Sequence, residues 1–366
     1  MNLDTGVREY PAPITLELEV AQPFDALSVF EFLSAREIPG VERVARVDSS
    51  RSAGSLLVPS SGELETTLTY ARSVLAQGGP ATCEVTCTRT SDGAGRFPAH
   101  SDWRISVVIK ATDPRDVPHI TALISGLFDL TADSARIDSD LARDPALAPL
   151  VHASPGVRVP GAIDPAELVI RAIIGQQITV AAARGHLTRL VERAGSPVPS
   201  TVAKAFGLTK LFPTPAQIVA AVPHIGPRDE LDPDRPLRLP RRQSNAVRAA
   251  AEALASGALD ARAGADPDTL ASQLAAVPGI GPWTAAYVAL RVLGDPDAWM
   301  LGDVALVAGA RAIRILPNTR EGSKQAEHRA LAERAVQWAP WRSYASMHLW
   351  RAAAPLTEHK ELSHAA

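Results

Sequence analysis

Hydrophobic and polar residues alternate along the first third of the chain, and this period of two predicts β-strands. Ile14–Val20 alternates throughout, as a half-buried strand does. Further strands are predicted at Val41–Val47, Leu56–Val58, Glu63–Tyr70, Ala81–Arg89 and Trp103–Ala111. Amphipathic helices are predicted at Asp25–Arg36, with Asp25 as N-cap, and at Asp116–Leu130.

From about residue 131 the pattern becomes helical, and strand-like alternation is absent after residue 160. Helix starts are marked by an N-cap residue followed by proline, at Asp164-Pro165, Thr214-Pro215 and Asp266-Pro267. The Pro-rich, charged segment Pro223–Arg242 is predicted to be a long surface loop. The predicted class is α+β: a mixed N-terminal domain with an antiparallel sheet (residues 1–130), then an all-helical region (residues 131–366).

Composition excludes several classes of protein. The chain has 366 residues, of which 46% are hydrophobic and 21% charged, as in ordinary globular proteins. No apolar run is long enough to span a membrane, and Met1–Pro11 lacks the apolar core of a secretory signal, so we expect a cytoplasmic protein. Cys83 and Cys87 lie four residues apart on one predicted strand face, which favours two small buried side chains over a metal site.

Charge is distributed unevenly. The net charge of −3 is not that of a typical nucleic-acid-binding protein. Residues 1–130 carry −6, however, whereas residues 131–366 carry +3. Because a local basic face matters more than the whole-chain charge, DNA binding by the helical region stays open.

The segment Leu274–Tyr287 predicts two helices joined by the tight turn Pro278-Gly279-Ile280-Gly281. Glycine permits positive φ angles and close backbone approach. The unpaired amides at the start of the second helix, with the helix dipole behind them, suit a DNA phosphate. Such amides contact the backbone and read no sequence. An ordinary glycine-containing helix turn would look the same, so this motif alone assigns no function.

Asp303 begins another apolar helix after the loop Asp295–Gly302, and an aspartate there can simply be an N-cap. Its spacing from the glycine turn resembles that of the catalytic aspartate in the helix-hairpin-helix DNA glycosylase superfamily. Nearly the whole chain resembles the AlkA-type 3-methyladenine DNA glycosylase II family within it. The segments that carry this resemblance are Pro23–Asp25, Phe32–Arg36, Leu127–Leu130, Pro155–Gly161, Arg171–Gln177, Pro340–Ala345 and His348–Trp350.

The resemblance implies roles for individual residues. Asp303 matches the catalytic aspartate, and Gln177 matches the residue that fills the gap left by a flipped nucleotide. The base pocket is implied to be lined by aromatic side chains, those of Trp283, Tyr287 and Trp350. The turn is implied to contact DNA through Pro278, Gly279, Ile280 and Gly281, with a monovalent cation (Na⁺ or K⁺) held by the carbonyls of Ala275, Val277 and Ile280.

The chain departs from the family's pattern at three positions. Gln177 stands where the best-known member has leucine, Gly302 where it has an acid, and Arg351 where it has tyrosine. Trp283 occupies the position at which bifunctional members of the superfamily carry a nucleophilic lysine. Without that amine, no imine with the sugar forms, and the enzyme is expected to leave an intact abasic site.

The implied function is hydrolytic excision of alkylated bases, such as 3-methyladenine, from double-stranded DNA by a monomer with no required cofactor. A carboxylate beside the sugar would stabilise an oxocarbenium-like transition state or activate water. Indole faces favour a cationic alkylated purine by about 0.5–2 kcal/mol. The alternative is a non-catalytic helix-hairpin-helix protein that binds damaged DNA, and a bifunctional oxidised-base glycosylase is disfavoured by Trp283.

Overall fold

The computed structural model describes residues 12–48, 65–90, 103–203, 207–316 and 323–363. Within these residues, five strands form one antiparallel sheet in the order β1-β5-β4-β3-β2. The strands are β1 (Ile14–Leu18), β2 (Glu42–Asp48), β3 (Glu65–Ala76), β4 (Gly79–Thr90) and β5 (Arg104–Ala111). Helices α1 (Ala26–Ala35) and α2 (Val117–Leu127) pack against it.

The predicted antiparallel sheet is confirmed, with differences in strand length. The prediction for Leu56–Val58 and the remarks on Met1–Pro11 lie outside the described residues. Strand β3 continues to Ala76, six residues beyond the predicted end at Tyr70. A two-residue turn at Gln77-Gly78 joins β3 to β4, and the pairing extends to Ala76 opposite Gly79. The short turn therefore keeps both strands paired to their ends.

The two cysteines are core residues, as the spacing predicted. Cys83 and Cys87 are fully buried on the same face of β4. Burial raises the pKa of the Cys83 thiol to about 12, so it stays protonated at neutral pH. Both side chains therefore act as small apolar groups in the core beneath α1 and α2.

Helices follow the sheet, and among the described residues after β5 the only β pairing is an isolated bridge between Pro197 and Lys210. They are α3 (Ser134–Leu141), α4 (Ala148–Ala153), α5 (Pro165–Ile174), α6 (Val180–Ala194), α7 (Ser200–Ala203), α8 (Pro215–Ala221), α9 (Arg241–Ser256), α10 (Pro267–Ala276), α11 (Pro282–Val288), α12 (Val304–Ala312), α13 (Lys324–Ala335) and α14 (Arg342–Ser363). The described helices contain no apolar run of the length that a bilayer crossing needs.

The predicted N-caps are confirmed. The side chains of Asp164, Thr214 and Asp266 each accept a hydrogen bond from a backbone amide in the first turn of α5, α8 and α10. Thr214 and Gln217 form a reciprocal capping box. The sequence therefore specifies where these helices start.

The loop predicted at Pro223–Arg242 ends earlier, because α9 begins at Arg241. Leu237 and Leu239 are buried in the core of the helical region, so the segment is anchored before the helix starts. A Pro-rich pattern marks the segment but does not reveal these two anchors. The predicted domain boundary at residue 130 stays a prediction.

A buried network of charges joins the sheet to α5. Arg72 on β3 and Arg171 on α5 each contact both Glu42 and Glu167, and Tyr70 donates to Glu42 at 2.8 Å. Burial would raise the pKa of Glu42, but the guanidinium groups of Arg171 and Arg72 outweigh it and lower that pKa. These two positive and two negative charges therefore compensate each other where the sheet meets α5, the helix that precedes Gln177.

Helix α12 packs closely on α14, which brings Asp303 to Trp350. A Cβ atom at Gly309 would lie 2.0 Å from the Leu349 carbonyl oxygen, so only glycine fits between these helices. Asp303 precedes α12 by one residue, and Trp350 follows Leu349 on α14. The close helix pair therefore fixes how near the carboxylate and the indole lie.

Candidate active site

One open cleft of about 1710 Å³ brings most of the predicted site residues together. It is lined by parts of α1, α5, α6, α9 and α11, the turns before α6 and α11, the start of α12 and the middle of α14. The predicted residues that line it are Gln177, Gly279, Ile280, Gly281, Trp283, Tyr287, Asp303 and Trp350. Pro278 lines a smaller depression beside it, which it shares with Gly279.

The turn between α10 and α11 depends on Gly279. Its φ of +92° lies in the left-handed region, and a Cβ atom there would lie 2.5 Å from the Cβ of Ala246 on α9. Glycine is therefore required by both backbone conformation and packing.

Gly281 plays a different part from Gly279. It is the N-cap of α11, with an extended backbone at φ −104°, and a Cβ atom there would meet nothing within 4 Å. Both glycines were expected to allow a positive φ angle or close packing, but only Gly279 does so. Gly281 leaves open space in front of the first amides of α11.

Asp303 is both a helix cap and a cleft residue. Its Oδ1 accepts hydrogen bonds from the amides of Ala305 and Leu306 at 2.8 and 2.9 Å, which is the geometry of an N-cap. Its Oδ2 accepts the indole N–H of Trp283 at 2.8 Å, and its Oδ1 the indole N–H of Trp350 at 3.3 Å. Four donors from three elements therefore fix the orientation of one carboxylate in the cleft.

Three aromatic side chains pack together beside this carboxylate. The rings of Trp283 and Tyr287 stack with centroids 5.2 Å apart and planes 7° from parallel. Tyr287 and Trp350 are tilted by 55° at 6.4 Å. Positions 283 and 287 lie one helical turn apart on α11, which places both rings on one face. The site therefore offers flat apolar surface next to a negative charge.

Two arginines lie behind Tyr287. Arg291 donates to the Tyr287 hydroxyl oxygen at 2.7 Å and to the Gly161 carbonyl at 2.8 Å. Arg36 lies over the ring of Phe32 at 3.7 Å and also interacts with the Tyr287 hydroxyl. Burial would raise the pKa of Tyr287, but the charges of Arg291 and Arg36 outweigh it and lower that pKa. The back of the cleft is thus cationic.

Gln177 is an exposed residue with an unusual backbone conformation. It is exposed, and its φ of +60° lies in the left-handed region, which is uncommon for a residue other than glycine. Its neighbour Gln176 donates to the Gly279 carbonyl at 3.2 Å and to the Thr284 hydroxyl at 2.8 Å. Gln243 on α9 donates to the Gln176 carbonyl at 3.2 Å. The turn that carries Gln177 is therefore tied to the glycine turn and to α9.

Of the three carbonyls implied to hold a cation, that of Ala275 belongs to the last turn of α10, that of Val277 to its C-cap and that of Ile280 to the turn between α10 and α11. The Val277 carbonyl accepts the Ile280 amide at 3.1 Å. A carbonyl oxygen has two lone pairs, so this hydrogen bond leaves Val277 able to coordinate a cation as well. The donor set of neutral oxygens suits a hard monovalent ion.

Sequence reasoning missed Arg291, Gln176 and Gln243. Arg291 follows Tyr287 by four residues, and the i,i+4 rule for helix neighbours could have indicated their contact. The contacts of Gln176 with Gly279 and of Gln243 with Gln176 join residues about 70 to 100 positions apart, and no local sequence pattern indicates them.

Comparison with known proteins identifies relatives of this chain. A family model described as the AlkA N-terminal domain matches residues 15–164. The probable bifunctional transcriptional activator/DNA repair enzyme AlkA of Mycobacterium tuberculosis is 33% identical over 337 residues, which are 92% of this chain and 56% of that protein. This chain thus spans about half the length of that relative.

Two further proteins are similar to this chain. DNA-3-methyladenine glycosylase 2 of Escherichia coli is 33% identical over 229 residues, covering 63% of this chain and 70% of that protein. The solved structure of a 3-methyladenine DNA glycosylase from Archaeoglobus fulgidus has a TM-score of 0.60, covers 92% of this chain and 97% of that chain, and is 18% identical, which shows a shared fold. The chain therefore belongs to the AlkA family of DNA-3-methyladenine glycosylases.

Proposed function

We propose that this protein is a monofunctional DNA glycosylase that excises alkylated bases, such as 3-methyladenine, from double-stranded DNA. The observation that carries the proposal is the Asp303 carboxylate, which two cleft tryptophans orient beside the turn between α10 and α11. A non-catalytic DNA-binding protein would need the turn but not this arrangement. The names of the relatives, which describe 3-methyladenine glycosylases, support the same activity.

The proposed reaction begins when the damaged nucleotide rotates out of the duplex into the cleft. Unstacking and unpairing cost a few kcal/mol, and least at a weakened pair. Gln177, exposed on a strained turn, would fill the gap left in the duplex. The stacked faces of Trp283 and Tyr287 would then receive the flat base.

Base release breaks the bond between the sugar C1′ and the base nitrogen. An N-alkylated purine carries a positive charge, so it takes the bonding electron pair and leaves as a neutral base. The Asp303 carboxylate stabilises the oxocarbenium-like sugar, and water adds to C1′ as the carboxylate accepts one of its protons. The products are the free base, a proton and an abasic sugar.

Hydrolysis without lyase chemistry is proposed from the residues at the cleft. Trp283 occupies the position of the superfamily's nucleophilic lysine, and no lysine is among the described residues that line the cleft. An indole nitrogen cannot form an imine with C1′. Water is then the remaining nucleophile.

DNA binding is proposed to use the backbone at the turn between α10 and α11. Gly281 leaves its surroundings open, so a phosphate can approach the first amides of α11. A monovalent cation held by the carbonyls of Ala275, Val277 and Ile280 would add positive charge there. The proposal includes action as a monomer.

The test is incubation of the purified protein with methylated DNA, followed by chromatography of the released bases. We expect free 3-methyladenine, and no release from unmethylated DNA. Binding to damaged duplex without any released base would instead support the non-catalytic alternative.

A further inference from the structure

Two large apolar side chains flank Asp303 at the cleft and are exposed. Leu301 is 54% exposed and Val304 is 73% exposed, and among the described residues no large apolar side chain is more exposed than Val304. Both line the same cleft as Asp303, which lies between them in the chain. Single exposed apolar side chains are common, but two of them beside a carboxylate in a cleft indicate a ligand surface. We call Leu301 and Val304 the apolar pair.

The backbone that carries the apolar pair is anchored on both sides. Met300 and Leu306 are each 1% exposed and belong to one hydrophobic core. The Leu301 amide donates to the Trp299 carbonyl at 3.0 Å, and the Asp303 amide donates to the Met300 carbonyl at 3.1 Å. Because the core already holds the residues at 300 and 306, the side chains at 301 and 304 stay at the cleft surface.

The proposed substrate presents a base, phosphates and a sugar to this cleft. The stacked rings of Trp283 and Tyr287 suit the base, and the first amides of α11 suit a phosphate. The Asp303 carboxylate is proposed to lie beside C1′ of the sugar. Residues that flank Asp303 in the cleft are therefore placed to meet the rest of that sugar.

Deoxyribose within a DNA strand offers mainly C–H surface to a protein. It has no 2′-hydroxyl group, and its 3′ and 5′ oxygens are bound to phosphorus. Leucine and valine side chains gain free energy when such apolar surface covers them and excludes water. The chemistry of the apolar pair therefore matches the sugar better than it matches a phosphate.

We propose that Leu301 and Val304 bind the C–H surface of the deoxyribose of the flipped nucleotide and hold its C1′ beside the Asp303 carboxylate. The inference rests on the proposed function. Burial of the apolar pair against the sugar stabilises the nucleotide outside the duplex and offsets part of the cost of flipping.

The test separates the sugar ring from the rest of the DNA. One duplex carries a central tetrahydrofuran, which keeps the ring and lacks the base, and the other carries a propanediol spacer, which keeps the phosphates and lacks the ring. Leu301→Asn/Val304→Thr introduces polar side chains of similar shape. Burial of one CH₂ group corresponds to about fourfold in affinity, so loss of one such contribution at each position should lower the preference for the tetrahydrofuran duplex by about 15-fold.

Matched controls use the same substitutions elsewhere. Leu231→Asn/Val336→Thr changes two exposed residues that do not line the cleft, so the wild-type preference should remain. Leu301→Met/Val304→Ile keeps both positions apolar and should keep most of the preference. The slope of log affinity against log salt should be equal in all variants, because no charge changes. Thermal melting checks that each variant is folded.

An unchanged preference in the folded Leu301→Asn/Val304→Thr variant would overturn the inference. An equal loss of affinity for both duplexes would overturn it too, because the apolar pair would then contact DNA outside the sugar ring. If the wild type still released 3-methyladenine, the proposed function would stand without this sugar contact. If the wild type neither bound duplex nor released a base, both would fail.

Discussion

The indole N–H of Trp283 donates to the carboxylate of Asp303 at 2.8 Å, which joins α11 to the start of α12 at a single oxygen. Trp283 therefore has two parts in the cleft, because its ring also stacks on Tyr287. A substitution that keeps an aromatic ring and removes the N–H distinguishes the hydrogen bond to Asp303 from the stacking on Tyr287.

Trp283→Phe should lower the rate of base release more than it lowers DNA affinity. Phenylalanine keeps an aromatic face but leaves Oδ2 of Asp303 without its donor. A hydrogen bond to a charged group contributes about 1.5–3 kcal/mol, so we expect a loss of roughly 10- to 100-fold in the single-turnover rate. Trp299→Phe is the matched control, because Trp299 packs against the core next to Trp338 and does not line the cleft. Equal rates for the two variants would show that the indole N–H is not needed.

Asp303→Asn should fold, bind damaged DNA and lose most base release. The asparagine oxygen still accepts the amides of Ala305 and Leu306, so the cap survives at a cost below about 1 kcal/mol. The negative charge is lost, and the new NH₂ group opposes the indole N–H of Trp283. The measurement is single-turnover release of 3-methyladenine.

Asp266→Asn is the control for Asp303→Asn, because Asp266 also caps a helix and does not line the cleft. Release near the wild-type rate in Asp303→Asn would reject its catalytic role. Asp303 would then be a helix cap only.

The local pattern of the sequence was enough to predict the sheet, the helix starts and the position of the glycine turn. These features depend on residues close together in the chain: alternation in Ile14–Leu18, the capping box at Thr214 and the left-handed glycine at 279. The predicted end of β3 at Tyr70 is too early, because the turn at residues 77–78 sets the end of this strand and the alternation within the strand does not.

The assembly of the cleft could not be derived from local pattern. The position of Asp303 at the start of a helix fits a cap equally well, and the structure shows that Asp303 is a cap as well as a cleft residue. Only the resemblance to a family indicated that Trp350 would lie near Asp303, because close packing at Gly309 produces that contact across the chain. Of the two arginines behind Tyr287, Arg291 is close to it in the sequence, whereas Arg36 is distant in the sequence and meets it only through the fold.

The two glycines of the turn should respond differently to substitution. Gly279→Ala places a Cβ atom against Ala246 and forces a left-handed backbone, so it should lower the free energy of unfolding by about 1–3 kcal/mol. Gly281→Asp meets open space and should leave stability nearly unchanged. Its carboxylate would instead repel the phosphate and weaken duplex binding.

Denaturant unfolding and duplex binding distinguish these two effects. Gly281→Ala, which adds a Cβ atom without charge, is the control for Gly281→Asp. If Gly281→Asp bound duplex as tightly as Gly281→Ala, the amides of α11 would not be a phosphate site.

Acid should destabilise the protein through His348. Its side chain is 2% exposed, and burial, with the charge of Arg351, lowers its pKa to about 4. The unfolded chain protonates this histidine near its ordinary pKa of about 6.5, so stability is present above that pH and is lost as the pH falls towards 4. At about 1.4 kcal/mol per pKa unit, the loss is roughly 3 kcal/mol.

His348→Leu should therefore show a smaller fall in the free energy of unfolding between about pH 6.5 and 4. Burial raises the pKa of Asp138 to about 6, which acts in the opposite sense, but Asp138 is present in both proteins and cancels in the comparison. The exposed His119, changed to leucine, is the control. The same pH dependence in His348→Leu and the wild type would contradict the assignment.

Borohydride should not trap the enzyme on DNA during turnover, and the abasic product should remain uncut until alkali is added. A lyase needs an amine at C1′, and the position for it holds Trp283, whose indole N–H is already donated to Asp303. Lys110 lies on β5, Lys210 donates to the Gly195 carbonyl at 3.1 Å, and Lys324 is exposed at the start of α13, so none of these three lysines lines the cleft. Trp283→Lys is the informative counterpart, because it places an amine at that position while removing the indole. Covalent trapping of the variant but not of the wild type would show that the residue at 283 decides between water and an amine. Efficient trapping of the wild type would instead reveal a nucleophilic amine and refute hydrolysis as its sole reaction.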